Sequence, residues 1–372
     1  MRLMVTGILG TSLILAASGA AAANSSVTLY GVADTFIQYL DNGGSHSFSA
    51  RSGGSTGSLF GLTGTEDLGG GLNAKFTVES GYNINNGTLF GDTTALFYRQ
   101  AWVGLTDSKY GSLTFGRQYE PSFRVVYPAD PFHLNEVMSP VSANMLAVDR
   151  NALSTQYDSG RASNSILYQS PDLHGLNLYG MYAFSATVSQ PTPATTGNML
   201  NVGASYSGYG LYAGVAYVNQ HAGQATIPGL PGPLSLLGTE HFVGALAYRI
   251  GIVNLQFNYS YQRANDAPSR SLAARLQTAH SYSTAQLGAT IQATAADAIA
   301  IAMFERNVRG AHDNAPGVEV GVDHSLSKRT SLYARAGYIK NNGSSTVSWP
   351  GITVSEPDTK QVLATVGMTH RF

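Results

Sequence analysis

Apolar and polar side chains alternate along most of this chain, in short segments. The last segment, residues 361–372, reads QVLATVGMTHRF. Its positions divide into two faces, with Leu363 and His370 as exceptions: Val362, Ala364, Val366, Met368 and Phe372 on the apolar face, and Thr365, Thr369 and Arg371 on the polar one. A period of two residues is that of a β-strand, whose successive side chains point to opposite sides. The pattern predicts a strand that ends on an aromatic residue.

Sixteen such segments can be drawn, each of roughly ten residues, the length of a tilted strand that crosses a bilayer. They lie near residues 27–40, 57–67, 72–83, 95–106, 111–118, 163–170, 176–185, 199–208, 211–219, 239–249, 253–263, 281–291, 297–306, 316–325, 330–340 and 361–372. Short turn-rich links alternate with long ones rich in Gly, Ser and Pro, the short ones including 67–71, 107–111 and 207–210, the long ones 41–56, 185–198, 221–239 and 341–359. This alternation is typical of barrels of the outer membrane.

The segment 72–83 shows what the polar face requires. Lys75 and Glu79 share that face with other polar residues, whereas the opposite face is apolar. A charge on such a strand costs several kcal/mol unless its face is wet. The pattern therefore predicts a water-lined interior with Lys75 and Glu79 on its wall. A soluble β-sandwich, with its polar faces in bulk solvent, has the same periodicity, so periodicity alone leaves both folds open.

The first 23 residues favour the barrel. A positive start, Met1-Arg2, precedes a mostly apolar stretch and the small residues at 21–23, the layout of a secretory signal peptide. A membrane anchor helix would need a longer apolar run. We therefore expect a signal peptide over residues 1–23 and one domain over residues 24–372. Its expected fold is all-β, a 16-stranded antiparallel transmembrane barrel.

Composition narrows the function. The formal net charge of −1 gives no electrostatic reason to bind nucleic acid. The chain has no cysteine, which excludes disulfides and thiolate metal sites. Its 21 tyrosines suit the two aromatic belts of a barrel, although tyrosine is also a good strand former.

The connection from about residue 120 to 160 breaks the spacing. It has no sustained alternation, yet it contains apolar and aromatic residues that argue against disorder. Folded inward, it would narrow the barrel and bring charged side chains to the narrowest point. Its titratable residues are Glu120, Arg124, Asp130, His133, Glu136, Asp149, Arg150 and Asp158. An extracellular cap is the alternative position for this loop.

Several stretches resemble the trimeric general porins of Gram-negative outer membranes, in particular the β-proteobacterial type. They are spread over the mature chain in the family's order: residues 26–32 (SVTLYGV), 64–72 (GTEDLGGGL), 116–118 (GRQ), 164–168 (NSILY) with 170–171 (SP), 325–330 (SLSKRT) and 370–372 (HRF). The resemblance implies a 16-stranded barrel, an inward-folded third loop, a homotrimer and passive diffusion of small hydrophilic solutes and ions. It also implies location in the outer membrane, with outer-membrane lipid and lipopolysaccharide as neighbours.

The resemblance also implies roles for individual residues. Arg99 and Arg161 stand where the family has wall arginines that face acidic groups of the third loop, and Arg117 in the GRQ motif is a further candidate. Leu59 stands where relatives often carry another basic residue, a departure that argues against strong anion selectivity. Alternation alone does not place Arg99 in the lumen, because it shares parity with Phe97 and Val103. A structural ion pair is its alternative role.

The expected function is a general diffusion channel without catalysis or cofactor, selecting by size and by the field between wall arginines and the loop carboxylates Asp130 and Glu136. A substrate-specific channel would add binding sites to the same barrel, and the aromatic residues at the start of the loop are candidates: Tyr119, Phe123, Tyr127 and Phe132. Packing of the loop on the wall is the simpler role for them. A barrel hydrolase is a third possibility, although no Gly-x-Ser-x-Gly elbow appears where a strand meets a helix, and no His-Glu-x-x-His or phosphate-loop motif is visible.

Overall fold

A computed structural model describes residues 25–136, 139, 142, 160–188, 194–226, 231–264, 281–310, 312–349 and 356–372. The expected signal peptide, and Asp149, Arg150 and Asp158 of the long connection, lie outside these residues. In the part that is described, no helix has the length and apolar content needed to cross a membrane.

Almost all regular structure is β-strand. The first eight strands are β1 Ser26–Asn42, β2 Ser45–Ser52, β3 Leu59–Gly69, β4 Leu72–Gly81, β5 Gln100–Asp107, β6 Gly111–Tyr119, β7 Arg161–Gln169 and β8 Leu176–Ala183. Six more are β9 Thr187–Val188, β10 Ala194–Thr195, β11 Met199–Gly208, β12 Leu211–Gln220, β13 Gly223–Ala225 and β14 Leu234–Leu236. The remainder are β15 Thr239–Ile250, β16 Val253–Ala264, β17 Tyr282–Gln292, β18 Asp297–Val308, β19 Asp313–Ser325, β20 Thr330–Lys340, β21 Asn342–Gly343 and β22 Lys360–Arg371.

The long strands form one closed antiparallel barrel of 16 strands, as the alternation predicts. Each pairs with its neighbours along the chain, and β22 pairs with β1 from Val32↔Arg371 to Asn42↔Gln361 to close the ring. β2 and β3 occupy one strand position, since β1 pairs with β3 through residues 26–32 and with β2 through residues 35–42. Closure leaves no free sheet edge, which is a condition for a sheet that spans lipid.

The wall is apolar outside and polar inside. On β16, Leu255, Phe257 and Tyr259 are exposed, whereas the alternating Gln256 and Asn258 are buried. The last strand repeats this, with exposed Val362 and Val366 beside buried polar residues. An outer surface of this kind suits hydrocarbon, because the polar side chains turn to an interior where water and hydrogen-bond partners satisfy them.

The structure differs from the sequence prediction in three connections. Residues 41–56, predicted as a loop, contain β2, which extends the hairpin of β1. The loops 184–198 and 221–238 contribute short strands to a separate four-stranded sheet, β14-β13-β10-β9. The strand predicted from residue 95 begins only at Gln100, so that Arg99 precedes it.

The connection from about residue 120 to 160, called the third loop from here on, enters the barrel. It opens with helix α1, Pro121–Val126, followed by a 3₁₀ turn over Tyr127–Ala129. The amide of Asn258, which lies on the inner face of β16, donates to the carbonyl of Ala129 at 2.6 Å. Gln256 on the same face donates to the carbonyl of Pro128 at 3.3 Å. The described part of this loop therefore packs on the inner wall, which supports the inward position over the extracellular cap.

Candidate functional site

Glu120 fixes the point at which the third loop leaves the wall. Its carboxylate accepts hydrogen bonds from Asn201 on β11 at 3.0 Å and from Ser122 at 3.2 Å. Its backbone N–H donates to Gly160 at the other end of the loop, at 2.9 Å. Pro121 then starts α1 without losing a helical hydrogen bond, since the first N–H groups of a helix have no partner within it. The predicted loop residue Glu120 is thus a buried anchor.

Four charged side chains meet where the third loop returns to the wall. Arg99 lies 2.6 Å from Glu79 through its Nε and 2.9 Å from Glu136 through its Nη1. Arg161 lies 2.5 Å from the other oxygen of Glu136. These four residues, Glu79, Arg99, Glu136 and Arg161, are here named the charge cluster. Its two positive and two negative charges cancel, so that its field is confined to short distances.

Tyrosines complete the hydrogen bonding of the charge cluster. The hydroxyl of Tyr119 accepts from Arg99 at 3.0 Å and from Arg161 at 2.6 Å. The guanidinium of Arg161 lies 4.4 Å from the centre of the Tyr119 ring. Tyr30 donates to Glu79 at 3.0 Å. Buried charges need such partners, because an unpaired one costs far more free energy than a surface charge.

The pKa of Glu136 reflects this arrangement. Its burial opposes ionisation, but the charges of Arg161 and Arg99 outweigh the burial and lower the pKa of Glu136 to about 2. The carboxylate is therefore ionised at every pH at which the protein would ordinarily work. Glu136 was expected on the loop side of the constriction. It contacts the two arginines from the loop, and its role in the constriction stays a prediction.

Arg99 reaches the cluster because it does not belong to a strand. β5 begins at Gln100, so alternation does not dictate the side to which Arg99 points. Its backbone N–H still donates to Glu79 at 3.2 Å, which holds it beside β4. The expectation from parity was wrong at this position, because the sequence pattern assigned residues 95–99 to a strand. Leu59 is also buried here, beside the cluster, where it adds no charge.

Arg117 lies at an irregularity in β6. The register with β7 shifts between Gly116 and Gln118, and Gly116 has a φ of +129°. A Cβ at Gly116 would lie 2.2 Å from the carbonyl oxygen of Ala101, so this position requires glycine. Arg117 lies 4.9 Å from the Tyr98 ring centre and donates to Ser163 at 2.8 Å. Its role in the constriction remains a prediction.

Lys75 shares the inner face of β4 with Thr77 and Glu79, which are buried. It lies four residues from Glu79 towards the short turn at residues 70–71, and is half-buried. Among the described residues, Lys75 forms no ion pair with a member of the charge cluster. Its predicted place on the wall follows from the alternation, and its role in selectivity remains a prediction.

Asp130 occupies a different environment from Glu136. Its two oxygens accept from the backbone N–H groups of Phe132 at 3.1 Å and Leu134 at 2.6 Å. Gln286 on β17 donates to it at 3.0 Å. Burial raises the pKa of Asp130 against the effect of these hydrogen bonds. Asp130 was expected to face the wall arginines, but its described hydrogen bonds are those of a turn that fixes the loop.

An aromatic row follows the lumen side of the loop, defined as Tyr119, Phe123, Tyr127 and His133. Consecutive ring centres are 4.3, 5.6 and 5.4 Å apart. Phe123 and Tyr127 lie four residues apart and so on one side of the helical turn, whereas Val125 and Val126 are fully buried on the other. The row borders a cavity of about 470 Å³.

Arg124 lines the same cavity. Its Nε lies 3.4 Å from the carbonyl oxygen of Tyr119, and within the described part of the chain no carboxylate pairs with it. Across the cavity, Ser55 and Thr56 accept hydrogen bonds from Arg335 at 3.1 Å and from Arg371 at 3.3 Å. Arg335 and Arg371 do not line the cavity themselves, and Arg335 also pairs with Asp323 at 3.0 Å.

Several contributors to the site are absent from the sequence prediction. Tyr30, Asn201, Asn258 and Gln286 hold charged or loop groups in place from the inner wall. Alternation assigns each to the polar face, but the sequence does not show which height on the wall the loop touches.

In the described residues, no group of three His, Cys, Asp or Glu side chains is placed to hold a metal ion.

Comparison with known proteins agrees with this architecture. The family model for the Gram-negative porin matches residues 10–344. An outer membrane porin protein of Bordetella pertussis is 30% identical over 403 aligned residues, covering 98% of this chain and 99% of the relative. Outer membrane porin protein 32 of Delftia acidovorans is 30% identical, covering 96% of this chain and 97% of the relative.

Solved structures share the fold. An anion-selective porin from Comamonas acidovorans superposes with a TM-score of 0.76 at 23% identity, covering 94% of this chain and all of that one. OmpT of Vibrio cholerae in its trimer form superposes with a TM-score of 0.61 at 12% identity, covering 94% of this chain and 99% of that one.

Proposed function

Since the chain belongs to the Gram-negative porin family and forms an outer-membrane barrel for passive diffusion, we propose that its third loop and the charge cluster together set which solutes pass. The observation that carries this proposal is the contact of Glu136, on the loop, with Arg99 and Arg161 on the wall, at 2.9 and 2.5 Å. This contact holds the loop across the interior. The barrel stays open to small hydrophilic solutes and ions, and the loop sets their size limit.

Ion selectivity then depends on the charges that the cluster leaves uncompensated. Glu79 and Glu136 neutralise Arg99 and Arg161, so these residues supply little net field beyond a few ångströms. Arg124, which lines the cavity without a described carboxylate partner, adds a positive charge. Leu59 adds none where relatives often carry a basic residue. The channel should therefore prefer anions weakly.

The remaining expectations belong to the same proposal. The barrel is a homotrimer embedded in outer-membrane lipid and lipopolysaccharide, it requires no cofactor, and it catalyses no reaction. The trimer form of the structurally similar Vibrio cholerae OmpT supports the assembly. A signal peptide over residues 1–23 directs the chain to export. A hydrolase, the first alternative, would cleave lipid or peptide when purified. A substrate-specific channel, the second, would show saturable block of its current by one solute.

Planar-bilayer recording tests this proposal. Purified protein should insert in steps of three conductance units, with a reversal potential in a KCl gradient that shows a weak preference for chloride. Arg124→Gln should shift that potential towards potassium. Arg249→Gln is the matched control, because Arg249 is exposed beside a short turn. A silent bilayer would contradict the channel, and an unchanged potential in Arg124→Gln would contradict its role in selectivity.

A further inference from the structure

The exposed end of the aromatic row, at Tyr127, is not needed to anchor the third loop. Helix α1 packs on the wall through its opposite side, where Pro121, Ser122, Val125 and Val126 are buried. Tyr127 remains 42% exposed and Phe123 only half-buried. Phe123 stacks with Tyr119 and Tyr127 and packs against buried core residues. Packing of the loop, the simpler explanation for these aromatics, therefore accounts for Tyr119 and Phe123 and leaves the exposed side of Tyr127 unexplained.

Positive charge accompanies the exposed part of the row. Arg124 follows Phe123 directly in the chain and lines the same cavity. Arg371 reaches the opposite side of the cavity through Thr56, at 3.3 Å. Among the described residues, neither arginine has a carboxylate partner, in contrast to Arg99 and Arg161. The cavity is thus bordered by Arg124 and by the aromatic row, and Arg371 is hydrogen-bonded to its lining residue Thr56.

Resting on the proposed channel function, we propose that this cavity is a binding site for aromatic carboxylates on their way through the barrel. The solute's ring packs on the exposed side of Tyr127, at the end of the aromatic row, and its carboxylate binds Arg124. Ring stacking and a planar guanidinium facing a planar carboxylate are complementary to such a solute in both shape and charge. At about 470 Å³ the cavity has ample room for one ring with its carboxylate.

The same geometry disfavours other solutes. A sugar needs several acceptors for its hydroxyls, but the carboxylates that line the cavity, Glu79 and Glu136, already accept from Arg99, Arg161 and Tyr30. An aliphatic carboxylate would gain the charge interaction without the stacking. The site must also release its solute quickly, so binding should be weak and saturable, in the millimolar range typical of transient ligands.

Single-channel recording with benzoate, cyclohexanecarboxylate and acetate tests the site. Benzoate should interrupt the chloride current in a saturable way, with a dissociation constant about threefold or more below that of cyclohexanecarboxylate and further below that of acetate. Arg124→Gln should weaken benzoate block about tenfold and Arg124→Lys less, because lysine keeps the charge but not the planar fork. Tyr127→Ala should weaken block by benzoate about threefold and leave block by acetate unchanged.

Tyr209→Ala is the matched aromatic control, since Tyr209 is 98% exposed at a short turn. The open-channel conductance of each variant reports whether the third loop has kept its place. The site is refuted if benzoate and cyclohexanecarboxylate block the parent channel equally. It is also refuted if benzoate blocks the Arg124→Gln and Tyr127→Ala channels as strongly as the parent while their conductance is unchanged. Either result leaves the channel function intact, because that function rests on the conductance itself.

Discussion

Two regions of the inner wall hold the third loop, and they do so by different chemistry. Towards β4, β5 and β7 the loop is held by charge, through Glu136 between Arg99 and Arg161. Towards β16 and β17 it is held by neutral amides, through Asn258 on the carbonyl of Ala129 and Gln286 on Asp130. We refer to these as the charge anchor and the amide anchor.

The two anchors treat their carboxylates in opposite ways. At the charge anchor, arginines lower the pKa of Glu136. At the amide anchor, burial raises the pKa of Asp130, because its partners are neutral backbone and side-chain groups. Position along the loop can therefore be fixed without an ion pair, and among the described residues the ion pairs that hold the loop are those of the charge anchor. The comparison predicts that variants at the charge anchor change ion selectivity, whereas variants at the amide anchor change mainly loop stability.

The largest effect is expected from Glu136→Gln. Removing one partner from a buried ion pair costs about 3–5 kcal/mol. It leaves Arg99 with Glu79 alone and Arg161 without its carboxylate partner in the charge cluster. The loop should loosen locally, the conductance should rise and become noisier, and the reversal potential should move towards anions. Planar-bilayer recording in a KCl gradient measures both.

Glu240→Gln is the control for this variant. Glu240 pairs with the exposed Arg263 on β16, so its loss should change neither conductance nor selectivity. If both variants shifted the reversal potential equally, the charge anchor would have no specific effect on ion selectivity.

A smaller effect is expected from Asp130→Asn. The amide can accept through one oxygen only, so the N–H of Phe132 or of Leu134 loses its partner, at about 1–3 kcal/mol. Hydrogen exchange of the backbone amides in residues 131–135 should accelerate, while the reversal potential moves less than in Glu136→Gln. Asp172→Asn, which affects a similar cap on Gly175 in an exposed turn, is the control. A change in reversal potential as large as that of Glu136→Gln would mean that Asp130 contributes to the electrostatic field of the lumen.

Gln256→Leu should have a smaller effect still. Its 3.3 Å hydrogen bond to the carbonyl of Pro128 is long, and a single neutral bond contributes about 1 kcal/mol. Amide exchange within α1 should accelerate slightly at unchanged selectivity. Gln292→Leu, at an exposed turn, should leave α1 unaffected. Altered ion selectivity in Gln256→Leu would mean that the amide anchor also affects the electrostatic field of the lumen.

Between pH 7 and 5 the charge anchor should not change. The pKa of Glu136, about 2, lies below its ordinary value of 4.5, so the stabilisation by its ion pairs is complete above pH 4.5 and is lost as the pH falls towards 2. The difference in reversal potential between the parent and Glu136→Gln should be constant from pH 7 to 5 and should shrink only towards pH 2. Its disappearance by pH 5 would contradict the strength of the pairing.

The sequence predicted the wall well, because alternation is a local property. Strands such as 199–208 and 330–340 were placed with their observed ends. Parity gave the wrong side of the wall for Arg99, because the chain runs irregularly between β4 and β5 and has no period there. β2 was missed because its sequence, SHSFSARS, is mostly polar and resembles a loop.

The site was predictable only in part. The family resemblance predicted Arg99 and Arg161 on the wall, and charge and position in the loop suggested Glu136. The structure brings the three side chains into contact, and their role in selectivity stays a prediction. The different fate of Asp130 depends on Gln286, which lies 156 residues away in the chain, and on the backbone of residues 132–134. Such partners become neighbours only through the closure of the barrel and the path of the loop, and neither is encoded within a single segment.

The seam between β1 and β22 has a consequence for biogenesis. Gly31 and Phe372 exchange backbone hydrogen bonds at 3.1 Å in both directions, so the first wall strand is completed by the final residue. Pairings between such distant parts of a chain form slowly, because the intervening polymer must first be brought into a ring. Until then both strands present unsatisfied edges, and the nascent polypeptide needs protection from aggregation on its way to the bilayer.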